Sequence, residues 1–189
     1  MKHEEKKDII NLKRPVILIG MPGSGKSTIG RAVAERCGTG FVDTDELLKQ
    51  RLGMTLQEYI DEYGTDTFAQ EEERFLTEYD PGDSPVVVAT GGSAVLYPAA
   101  MENLRKRGTV VFIDCDLPSL KKRLWNFESR GIVLVAGEDR EQAILDLYMA
   151  REPLYYKYCD VRVEQGRMNR NKVAELIIRA VADKEAGIV

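Results

Sequence analysis

Short apolar runs and longer amphipathic stretches alternate along the chain. Val16 to Ile19, Val86 to Ala89 and Val110 to Ile113 are unbroken apolar runs, the signature of strands buried on both faces. Phe41-Val42 and Val161-Arg162-Val163 are shorter and give the second and fifth strands in chain order. A helix is predicted from Ser27 to about Arg36, with Ile29, Ala32 and Val33 toward the core and Gly38 as its stop. Thr55-Leu56-Gln57-Glu58 has the spacing of a capping box and opens another helix, which Gly64 breaks. A charged helix follows from about Asp66 to Tyr79, then a turn-rich loop, Asp80 to Pro85. Further helices are predicted from Pro98 to Lys106, from Leu117 to about Trp125, and from Arg140 to Arg151, the last halted at Pro153. Residues 126–138 show no clean period and read as a mobile flap. The last helix carries Val173, Leu176, Ile177, Ala180 and Val181 as one apolar stripe.

Strands that alternate with helices predict an α/β fold: a parallel sheet with helices on both faces, a three-layer α/β/α arrangement. Ligands of such sheets collect at the carboxyl ends of the strands. Here those ends read Gly20-Met21-Pro22-Gly23, Asp43-Thr44-Asp45 and Thr90-Gly91-Gly92, so three polar or glycine-rich clusters are expected on one rim.

Composition narrows the function. At 189 residues the chain suits one domain, taken as 14–189 behind a charged leader, 1–13. A net charge of −4 argues against nucleic acid as partner. No apolar run is long enough to span a membrane, and the leader lacks a signal peptide's apolar stretch, so a cytoplasmic protein is expected. Three distant cysteines, Cys37, Cys115 and Cys159, read as core fillers in a reducing compartment. The one histidine, His3, leaves no imidazole for a triad or a histidine-ligated metal.

The stretch GMPGSGKST matches G-x-x-x-x-G-K-[ST] between an apolar strand and a helix, the context of a phosphate-binding loop. Gly23, Ser24, Gly25, Lys26, Ser27 and Thr28 are the candidates for holding a nucleotide triphosphate. Backbone N–H groups and the helix N-terminus face the phosphates, and Lys26 adds a full charge. The Ser27 hydroxyl suits Mg²⁺, which prefers oxygen. Asp43 and Asp45, two apart at a strand end, point the same way if strand geometry persists. One of them can then serve the hydration shell of Mg²⁺ and the other an acceptor hydroxyl; alternatively, Asp45 caps the next helix. Gly91 and Gly92 offer an N–H pair to a substrate, or simply a tight turn.

With these clusters in order, the chain resembles the shikimate kinase family, in the stretches GMPGSGKSTIGR, FVDTD, ATGGSAVL and REPLYYKYCD, over nearly its whole length. The resemblance implies a five-stranded parallel sheet of order 2-3-1-4-5, a kinase with a lid at about 126–138, and a monomer. It implies ATP, Mg²⁺ and transfer to a ring hydroxyl of shikimate, a small-molecule substrate of aromatic amino acid biosynthesis. By position, Asp45 would activate the acceptor hydroxyl and Asp43 would hold Mg²⁺ through water. Gly91 and Gly92 would present amides, Arg151 would grip the carboxylate, and Arg130 would reach the transferring phosphoryl. Arg123 and Arg167 match the adenine side more loosely.

Four places depart from that pattern: Thr65, Ser93, the flap, where the expected Arg-Pro-Leu reads Arg130-Gly131-Ile132, and Ala69, where the family expects an arginine as second clamp on the carboxylate. The next basic residue, Arg74, lies about 140° around the helix from Ala69. Two alternatives therefore stand beside a shikimate kinase: a kinase of the same fold for another polyol or hydroxy acid, and a nucleotide-binding domain without transfer.

Overall fold

The computed structural model describes residues 12–124 and 139–188. The expected leader lies almost wholly outside the described residues, and the expected flap, with Arg130, lies wholly outside them. Five strands, β1 (Val16–Ile19), β2 (Gly40–Asp43), β3 (Val86–Ala89), β4 (Thr109–Asp114) and β5 (Val161–Glu164), form one sheet of order β2-β3-β1-β4-β5. Every pairing is parallel. The helices are α1 (Lys26–Cys37), α2 (Thr44–Leu52), α3 (Leu56–Tyr63), α4 (Thr65–Glu78), α5 (Pro98–Arg107), α6 (Leu117–Arg123), α7 (Arg140–Tyr158) and α8 (Arg170–Glu185), with a 3₁₀ turn at Ala94–Leu96.

The central strands alternate their side chains between two cores, as the period of two demands. Ile17, Ile19, Val88, Val110 and Phe112 enter one, with Leu76 of α4, Met101 and Leu104 of α5, and Tyr155 and Tyr158 of α7. Val16, Leu18, Val87, Val111 and Ile113 enter the other, with Ile29 and Val33 of α1 and Val173, Ile177 and Val181 of α8. Burying each such side chain is worth about 1.5–3 kcal/mol, so these two layers fix the strand register and the rim above it.

One expected boundary is wrong. The helix that was to halt at Pro153 runs on to Tyr158. Pro153 faces solvent, while Tyr155 and Tyr158 are buried in the first core. Their burial, and the stacking of Tyr155 on Phe112 at 5.1 Å between centroids, outweigh the lost helical hydrogen bond. Arg151 consequently sits inside a helix and half-buried, not at a solvated helix end. Among the described residues no helix is long and apolar enough to cross a membrane.

Candidate active site

Because all five strands run the same way, β1, β2 and β3 deliver their carboxyl ends to one rim. A cavity of about 540 Å³ opens there. Its wall brings together Gly23, Gly25, Lys26, Ser27, Thr28, Asp43, Asp45, Gly91 and Gly92 from the expected set. Ser24, Arg123, Arg151 and Arg167 are not part of that wall.

The phosphate loop is built as its glycines allow. Gly25 caps α1 in the left-handed region, at φ 90°. The buried Lys26 ammonium donates to the carbonyls of Gly20 (2.7 Å) and Met21 (2.9 Å), which holds its charge inside the loop. Ser24 is fully buried beneath it. From α6, the Arg123 guanidinium donates to Gly23 O (3.3 Å), Ser24 O (3.5 Å) and Gln165 Oε1 (2.8 Å). Arg123 thus ties the outer side of the loop to the segment after β5. Arg167 is exposed in the turn that leads to α8.

The two aspartates are arranged differently from expectation. Strand geometry does not persist, because the chain enters α2 at Thr44. Asp43 is itself the helix cap: its Oδ1 accepts from the Asp45 N–H (3.1 Å) and its Oδ2 from the Ser27 hydroxyl (2.6 Å). A carboxylate caps a helix N-terminus well because it satisfies an orphan donor and meets the dipole. Asp45 occupies the first turn of α2 and faces the cavity. Burial, then the nearby Glu72 and Asp43 carboxylates, raise its pKa to about 6, while Lys26 and Lys49 pull it down. Ser27 and Asp43 present hard oxygen donors side by side, a set that fits Mg²⁺. Among the described residues no group of three or more aspartate, glutamate, cysteine or histidine side chains gathers to hold a metal on its own.

The glycine pair is a tight turn held from several sides. The Gly91 N–H donates to Thr44 Oγ1 at 3.3 Å, so this amide is engaged within the protein. A Cβ at Gly91 would lie 2.8 Å from Glu72 Oε1 and 2.9 Å from Asp45 Oδ1. One at Gly92 would meet Pro22 Cδ at 2.5 Å. Gly92 is therefore closed to larger residues, whereas a side chain at Gly91 would require the two carboxylates to shift. The Tyr155 hydroxyl donates to Gly92 O at 2.7 Å and pins the turn from α7.

Sequence reasoning missed Glu72. Only 4% exposed, it accepts from Ser93 Oγ through both oxygens (2.6 and 2.7 Å) and from Tyr97 OH (2.8 Å). Burial raises its pKa, and the two hydroxyls and the nearby Arg151 charge oppose that rise. The Arg151 charge thus acts on both Glu72 and Tyr155. The signal was present in the sequence: Phe68, Ala69, Glu72, Phe75, Leu76 and Tyr79 fall at helical spacing, which puts Glu72 on the apolar stripe of α4. Ala69 packs against the first core. Arg74 is exposed and paired with Glu71 at 2.7 Å, which takes it away from the site.

A family model described as "Shikimate kinase" matches residues 22–182. A shikimate kinase of Mycobacterium avium is 36% identical over 174 residues, covering 90% of this chain and 94% of its own length. One of Paracidovorax citrulli is 36% identical over 140 residues, 73% of this chain and 75% of the relative. The shikimate kinase of Acinetobacter baumannii, solved in complex with shikimate, superposes with a TM-score of 0.85 at 27% identity. That match covers 95% of this chain and 98% of the other.

Proposed function

The chain belongs to the shikimate kinase family, and we propose on that premise that its rim cavity transfers the terminal phosphoryl of ATP to a hydroxyl of shikimate. The observation that carries this is one cavity lined by both the Lys26 loop and Asp45. Donor and acceptor can therefore lie side by side, which phosphoryl transfer needs more than any covalent help from the protein.

In the transfer, the acceptor oxygen forms a bond to the terminal phosphorus as the bond to the bridging oxygen breaks, and ADP leaves. Lys26, freed from the Gly20 and Met21 carbonyls, neutralises charge on the phosphate oxygens. The Asp45 carboxylate orients the acceptor hydroxyl and receives its proton. Its raised pKa brings it closer to the range where general bases work at neutral pH. Ser27 and Asp43 would hold Mg²⁺, which supplies positive charge to the phosphates when bound. Gly92 shapes the acceptor end, Arg151 braces it through Glu72 and Tyr155, and Arg123 steadies the loop that carries the nucleotide. Arg130, in the expected lid, is assigned to the transferring phosphoryl.

The test is ADP release from purified protein with Mg·ATP and shikimate, beside a panel of other small hydroxy acids and polyols. Release with shikimate, abolished by Lys26→Ala, is the expected result. Firm ATP binding without release, or release only with another alcohol, would overturn the proposal.

A further inference from the structure

Two of the four departures from the family pattern, Ala69 and Ser93, meet at one carboxylate. Glu72 lies one turn after Ala69 on α4, at the i,i+3 spacing of side-chain neighbours. It is only 4% exposed, and a buried carboxylate must be paired or hydrogen-bonded. A cation at position 69 could meet that need. Alanine cannot, and packs against the first core instead. The donors present are hydroxyls: Ser93 Oγ lies 2.6 and 2.7 Å from the two Glu72 oxygens, and Tyr97 OH lies 2.8 Å from one of them. Arg151 adds its charge.

The same carboxylate underlies the acceptor end of the cavity. A Cβ on Gly91 would lie 2.8 Å from Glu72 Oε1. Gly91 and Gly92 line the cavity, and Ser93 follows them directly. The Ser93 hydroxyl therefore ties the end of the glycine turn to α4, as the Tyr155 hydroxyl ties Gly92 O to α7.

We infer that Ser93 is a positioning residue for the acceptor: its hydroxyl takes over from position 69 as the partner of Glu72, and so holds the Gly91-Gly92 turn against α4. The inference rests on the shikimate reading above and deepens it. Ala69 and Ser93 become a compensating pair, in which a short neutral donor on the turn replaces a long cation on the helix. The exchange keeps Glu72 satisfied and leaves Arg151 to meet the acceptor's carboxylate, as the family resemblance assigns.

A double-substitution cycle on the full chain tests this, with wild type, Ser93→Ala, Ala69→Arg and the double variant. Ser93→Ala alone should raise the KM for shikimate about tenfold, the worth of one hydrogen bond to a charged group. Its kcat should change less than about twofold, because Lys26 and Asp45 are untouched. In the Ala69→Arg background the same Ser93→Ala change should raise KM less than about threefold, since a guanidinium then supplies the donor to Glu72. Urea unfolding at pH 8 should repeat the pattern, the drop in midpoint on Ser93→Ala shrinking by more than about half when Ala69→Arg is present. Ala69→Lys runs the same cycle if the Ala69→Arg protein does not fold. Equal effects of Ser93→Ala in both backgrounds, or a fall in kcat with KM unchanged, overturn the inference. A wild type that leaves shikimate unphosphorylated overturns the parent reading, and the unfolding cycle then still decides whether Ser93 and position 69 share Glu72.

Discussion

Replacing Ser93 with alanine should destabilise the protein by an amount that depends on pH. The Ser93 hydroxyl is 2.6 and 2.7 Å from the two oxygens of Glu72, a carboxylate only 4% exposed. Tyr97 supplies the other donor, at 2.8 Å. Losing a donor to a buried charged acceptor costs about 1.5–3 kcal/mol, whereas a neutral bond nets about 1 kcal/mol or less. Burial sets Glu72's folded-state pKa above its ordinary 4.5, so the folded protein holds this proton more tightly than the unfolded chain. The stability it contributes is fully present below 4.5 and is lost as pH rises through the folded value. Ser93→Ala removes a bond that favours the charged form, raises that folded value further, and so steepens the loss. Asp45 and Arg151 also face Glu72, but both remain in the variant and largely cancel in the difference. We expect a destabilisation of about 2 kcal/mol at pH 8, shrinking to about 0.5–1 kcal/mol near pH 4.5. In a domain of this size the pH 8 value corresponds to a Tm lower by roughly 4–8 °C. Urea unfolding of both proteins across this range measures it. An equal difference at the two ends, or a larger one in acid, would refute the account of Glu72 as a buried ionised acceptor.

Asp45→Asn should keep nucleotide binding and lower kcat by about 10²–10⁴, read from ADP release at saturating shikimate. Tyr155→Phe removes the bond to Gly92 O and should cost about 1–2 kcal/mol in chemical denaturation, with a larger rise in KM for shikimate than for ATP. Arg123→Ala unties the phosphate loop from the Gln165 segment, so KM for ATP should rise several-fold while KM for shikimate holds, separable in a two-substrate matrix. Gly92→Ala places a methyl against Pro22 and should cost about 1–3 kcal/mol while weakening both substrates, measured by unfolding and by calorimetric titration.

Most of the fold was legible because it rests on local patterns. The apolar runs that became β1, β3 and β4 are too regular to be anything but buried strands, and their alternation with helices dictated a parallel sheet. The sheet order came from family resemblance, since periodicity carries no information on which strands are neighbours. Pro153 misled because a local rule, proline ends helices, was overridden by the tertiary burial of Tyr155 and Tyr158. The phosphate loop was legible because its chemistry is contiguous in sequence. The acceptor end was less so, because it is assembled from distant positions. Glu72, Ser93 and Tyr97 come together only once α4 packs beside the turn after β3. Asp43 and Asp45 were found as a pair, yet their geometry depended on where strand gave way to helix, a boundary that spacing alone does not fix.

The contact between Gly92 and Pro22 has a consequence for anyone who would redesign this enzyme. The glycine turn that borders the acceptor packs directly on the phosphate loop of the same cavity, so libraries that vary it to admit new alcohols will damage ATP use at the same time. Retargeting belongs instead on the opposite bank, at Lys49 and Leu56, where α2 and α3 border the cavity without carrying any of the phosphate loop.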